Sequence, residues 1–90
     1  MTALSADEAR RKRLKIRAWR RGIKEMDLIL GGYADERLPD MDAADLALFE
    51  AMLGENDHDL YAWVTGQQAP PPRFAPLIAV LGERAAGIRG

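Results

Sequence analysis

Apolar residues recur along this chain at helical spacing, and no stretch alternates with period two for long enough to make a strand. Ser5 followed by Glu8 has the spacing of a capping box, and Leu14 with Ala18 and Ile16 with Trp19 continue as two short stripes. Gly22 interrupts this first helix and predicts a bend into a second one. From Ile23, the residues Met26, Leu30 and Tyr33 fall on one face with Ile29 beside them. Gly31-Gly32 inside that helix costs about 2 kcal/mol relative to alanines. The pair predicts either a bend or the close approach of another backbone.

"RLPDMD" ends the second helix, because Pro39 biases Leu38 away from helical geometry. Asp42 is an N-cap candidate for a third helix, with Asp45 in its first turn, Leu46, Phe49 and Leu53 as its stripe, and Gly54 closing it. "ENDHDLYAWVTG" repeats the grammar, with Asn56 or Asp57 as cap, Leu60, Trp63 and Val64 turned inward and Gly66 as stop. Trp63 is expected to be largely buried, as the anchor of a short helix. The stretch 67–73 is a proline-rich linker, and Phe74, Leu77, Ile78 and Leu81 form the face of a last helix. The expectation is an all-α, five-helix bundle in a single domain over residues 1–90, with 1–4 mobile.

Ninety residues bury only roughly 60–65% of their unfolded surface, so the core is thin and pockets are shallow. A composition 48% hydrophobic and 30% charged reads as a soluble globule. No apolar run approaches the ~20 residues of a membrane span, and no secretory signal or transit pattern stands at the N-terminus. The default expectation is a cytoplasmic protein without membrane insertion.

Net charge is −1, yet nine of the thirteen basic residues lie between Arg10 and Lys24, and eleven of the fourteen acidic ones between Glu25 and Asp59. Such segregation predicts an anionic partner or a neutralising contact within the fold.

Candidate chemistry is sparse. There is no cysteine, the one histidine, His58, sits among acidic residues in a first turn, and the one serine is Ser5. No phosphate loop, metal-ligand spacing or nucleophile set emerges, so catalytic and metal residues are expected to be none. Arg21 and Glu25 are four apart, and a helix through Gly22 would stack them as an ion pair. Such a pair gives only ~0.3–0.5 kcal/mol, and arginine before glutamate is the weaker order. Stability is therefore a poor reason for the arrangement. A glycine bend flanked by Arg21 and Glu25 could instead admit a partner's backbone.

"RRGIKEMD" contains Arg-Gly-x-x-Glu at Arg21, Gly22 and Glu25, and "DHDLYAWVTG" follows about thirty residues later. Together with "MDLIL" and "FEAML", these blocks resemble the SdhE family, the FAD assembly factors (flavinators) of succinate dehydrogenase, from about Arg10 to Pro70. The resemblance implies a small helical bundle that is not an enzyme. It implies binding to the flavoprotein subunit of succinate dehydrogenase, and also of fumarate reductase, to promote covalent attachment of FAD to a histidine there. Arg21, Gly22 and Glu25, with Asp27 as a weaker addition, would face that partner. FAD would belong to the partner and not be held tightly by this chain. The other readings are a nucleic-acid-binding or antitoxin-type module built on the basic first helix, and a plain helical scaffold.

Overall fold

A computed structural model of the chain describes residues 5–89, Arg89 by its backbone only. The expected mobility of residues 1–4 lies outside the described residues. Five helices follow in order: α1 (Ala6–Trp19), α2 (Lys24–Arg37), α3 (Ala43–Leu53), α4 (Asp57–Val64) and α5 (Ala75–Arg89). Short 3₁₀ turns at Leu38–Asp40 and Pro72–Phe74 lead out of α2 and into α5. The second turn takes up Pro72 and Arg73, so the expected linker is extended only before it. Among the described residues there is no strand, and no helix is long and apolar enough to cross a membrane.

Local chemistry sets the helix ends. The Glu8 N–H donates to Ser5 Oγ at 3.1 Å, Asp45 N–H to Asp42 Oδ1 at 2.9 Å and His58 N–H to Asn56 Oδ1 at 2.8 Å. Each bond satisfies a backbone donor that a helix start leaves without an intrahelical acceptor. Gly66 adopts φ +80°, and Gln67 N–H returns to Ala62 O at 2.8 Å, closing α4 in a Schellman turn.

α1 and α2 form an antiparallel hairpin. Near its open end Arg11 donates from Nε to Leu38 O at 3.0 Å and from its terminal nitrogen to Met41 O at 2.8 Å. α3 lies alongside α1, tied to it by the Arg10–Glu50 pair at 3.0 Å. α5 packs over α2 and α4, and Arg84 bonds Glu36 across α2. Phe49 and Phe74 are fully buried at the centre with Met26, Ile29, Leu30, Leu60 and Leu81. Tyr33 packs on Phe49 with ring centroids 5.7 Å apart, and this burial raises its pKa above the usual value near 10. Trp63 is only half-buried, against Phe74 at 6.1 Å. The expected anchoring role passes to Leu60 and Val64, which point straight into the core.

Gly31-Gly32 neither ends nor breaks α2, which is continuous from Lys24 to Arg37. What approaches Gly31 is a side chain rather than a backbone. A Cβ at Gly31 would lie 2.2 Å from the Trp19 ring, whose Nε1–H donates to Asp35 Oδ1 at 3.2 Å. The indole thus lies flat across a gap that only glycine leaves. Gly31→Ala is expected to push the ring into solvent. The helix-propensity gain of about 1 kcal/mol offsets much of the lost packing, so stability should change little. In a Trp63→Phe background, Trp19 emission should shift to the red; an unshifted spectrum would contradict the packing.

Candidate functional site

The corner between α1 and α2 is built by four residues that the sequence singles out. α1 stops at Trp19, and Arg20 and Arg21 leave it in non-helical conformation. Gly22 then takes φ +90°, a left-handed value that costs an L side chain about 1–2 kcal/mol. No other heavy atom lies within 4 Å of where its Cβ would sit, so the corner is open to the outside. Ile23 is the N-cap of α2 and offers no side-chain acceptor. Asp27 supplies one from inside the helix: its Oδ1 accepts from Arg21 N–H at 2.6 Å. Glu25 and Asp27, both half-buried, also place negative charge in the first turn, where the helix dipole favours it.

Arg21 and Glu25 do not share one helix, because the chain turns at Gly22 between them. Its side chain runs inward and is only 10% exposed. Nε donates to Asp57 Oδ1 at 2.8 Å, and the two terminal nitrogens donate to Leu53 O at 2.7 Å and Glu55 O at 3.1 Å. Leu53 O is one of the carbonyls that the C-terminus of α3 leaves unpaired, and Asp57 is the first residue of α4. One guanidinium therefore fastens the α1–α2 corner to the α3–α4 corner. The planar fork suits this, since its N–H groups diverge toward three acceptors at once. Of the residues expected to face a partner, Arg21 has its guanidinium bonded inside the fold, Gly22 is exposed, and Glu25 and Asp27 are half-buried.

Asp57, read from the sequence as a cap, is the residue that sequence reasoning missed. The cap is Asn56, and the Asp57 carboxylate is free for Arg21. Its signal was the joint presence of the Arg-Gly-x-x-Glu block and the Asp-His-Asp block, which this pair joins across 36 positions. His58 is exposed, as expected. Among the described residues, no three His, Cys, Asp or Glu side chains are grouped to hold a metal. Two cavities, of about 150 Å³ beside Tyr33, Arg37 and Asp45 and about 240 Å³ beside Lys12, Lys15 and Leu38, lie away from the corner.

The described residues thus form a small helical bundle with one braced, open corner. The chain is a member of the family described as flavinator of succinate dehydrogenase, whose model matches residues 12–85. Curated relatives are similar. A protein of Cryptococcus neoformans named succinate dehydrogenase assembly factor 2, mitochondrial, is 36% identical over 77 residues, which are 83% of this chain and 44% of the relative. A protein of the same name from Arabidopsis thaliana is 33% identical over 86 residues, 90% of this chain and 46% of the relative. One from Candida glabrata is 38% identical over 65 residues, 72% of this chain and 42% of the relative. The chain spans less than half the length of these relatives.

Arg21→Ala should destabilise the fold by about 2–4 kcal/mol, because it strands Asp57 and two carbonyls. Arg21→Lys should recover little of this, since one ammonium cannot reproduce the fork. Gly22→Ala should cost only about 1–2 kcal/mol, from the left-handed backbone alone. At roughly 4–8 °C per kcal/mol, thermal melts would separate the three variants. A lysine variant as stable as wild type would remove the clamp from the account.

Proposed function

We propose that this protein binds the flavoprotein subunit of succinate dehydrogenase and promotes covalent attachment of FAD to a histidine of that subunit. The observation that carries the proposal is a corner fixed from behind, in a chain that belongs to the flavinator family. Gly22 and Glu25 present the surface, while Arg21 and Asp27 set its shape from within. An open glycine with nothing over it lets a partner's backbone come close. A preformed corner also spends no ordering entropy on binding.

The chain acts by alignment rather than by chemistry of its own. Holding the flavoprotein so that its histidine and the flavin stay in reacting geometry is a proximity effect, which can lower a barrier by several kcal/mol. Proton transfers fall to the flavoprotein's residues. FAD stays with the flavoprotein. The cavities of about 150 and 240 Å³ are smaller than the ~300–1,000 Å³ of usual ligand sites, which supports that assignment. At the N-termini of α1, α3 and α4, backbone donors of the kind that cradle a phosphate are taken by Ser5, Asp42 and Asn56.

The test is reconstitution with apo-flavoprotein and FAD. Covalent flavin should appear only on the larger chain, and its yield should rise with this protein present. Gly22→Arg and Glu25→Ala should keep a helical circular-dichroism spectrum yet lose binding and stimulation. Variants that support flavinylation as well as wild type would overturn the corner's role. Saturable FAD binding by the isolated chain would overturn the alignment mechanism.

A further inference from the structure

The fold divides the basic N-terminal run into two sets. Arg10, Arg11, Lys15 and Arg21 are spent internally, on Glu50, on two backbone carbonyls, on Asp35 and on Asp57 respectively. That leaves five of the nine cations: Lys12, Arg13, Arg17, Arg20 and Lys24. All five are exposed, and none has an ion pair among the described residues.

Their placement is not scattered. At 100° per residue, Lys12, Arg13 and Ile16 fall on one side of α1, with Trp19 at one edge and Arg17 at the other, and Arg20 follows directly after the helix. Leu14 and Ala18 occupy the opposite side and are buried. Ile16 therefore sits in the middle of the cationic face, and it is 47% exposed. Trp19 keeps 36% of its surface exposed although its ring is pinned across Gly31 and tethered to Asp35. A rigid tryptophan beside arginines and an isolated aliphatic side chain has the composition of the energetic centre of a protein interface.

Resting on the proposed function, we infer that the outer face of α1 is a second docking surface for the flavoprotein subunit. It would take an acidic patch of that protein, with an apolar contact opposite Ile16 and Trp19. The cations steer the approach, and the apolar pair holds the complex once formed. A lipid surface fits less well. Leu14 and Ala18 of α1 are used in the core, and a single isoleucine among cations is not the broad face of an interfacial helix. Nucleic acid fits less well too, because the eleven acidic residues between Glu25 and Asp59 oppose a polyanion that extends past α1.

Association and dissociation rates with the apo-flavoprotein subunit, measured from low to high salt, test the inference. The wild-type association rate should fall about tenfold or more over that range. Arg13→Glu combined with Arg17→Glu touches no internal contact, so the melt should hold. Its association should be about tenfold slower at low salt and nearly independent of salt. Ile16→Glu should speed dissociation. Wild-type rates and salt slope in these variants would overturn this surface while leaving the proposed function intact. A wild-type protein that does not bind the flavoprotein would overturn both. Tighter binding to duplex DNA, or to phosphatidylcholine vesicles containing phosphatidylserine, would reassign the face to that partner.

Discussion

The contact on which the rest of the structure depends is the Arg21 guanidinium. Four chain segments meet at this residue: the end of α1, the start of α2 through its backbone N–H, and the end of α3 and the first turn of α4 through the guanidinium. Without it, the part-buried Leu53 O and Glu55 O would each lose a donor, and the Asp57 carboxylate would lose its cation. The bracing has a direct consequence outside. The backbone of Arg21 is held by Asp27 and its side chain by α3 and α4, so the left-handed turn at Gly22 has little freedom to move. A surface fixed in this way meets a partner without first being ordered.

The same economy of charge runs through α1. Packing one side of a helix that carries six basic residues requires that some cations find acceptors inside the fold. Arg10 and Arg11 do so at α3 and at the end of α2, where the dipole already favours positive charge. What remains outside is cationic because the fold has no further acceptors to offer there. Some acidic residues act locally, as caps and first-turn charges on α2, α3 and α4, while Asp35, Glu36, Glu50 and Asp57 pair with distant cations. Part of the segregation visible in the sequence is thus a neutralising contact within the fold, and the rest is an exposed face whose cations have no ion pair among the described residues.

Much of the fold was legible from the sequence because its rules are local. Ser5, Asp42 and Asn56 cap as side chains placed two or three residues before an orphan N–H, and Gly66 stops α4 because its φ is positive. Helical spacing likewise found Met26, Leu30, Phe49 and Phe74 in the core. What escaped depends on partners far along the chain. Spacing rules see neighbours three and four apart, so they weighed Arg21 against Glu25 and could not reach Asp57. They read Gly31 as a bend or as a place where another backbone comes close, whereas it seats the side chain of Trp19, twelve positions earlier. They gave Trp63 the inward place by its size, but α4 turns Leu60 and Val64 inward and leaves the indole on the flank. Membership of the flavinator family, expected from two short blocks, is shown by a match across most of the chain.

The central claim is that the corner is braced from within and meets its partner as it stands. A structure of the complex with the flavoprotein subunit tests this most directly. The account predicts Gly22 and Glu25 at the interface, with Arg21 still bonded to Leu53 O and Asp57 behind them. An Arg21 side chain swung outward onto the flavoprotein, with Asp57 left behind, would contradict it.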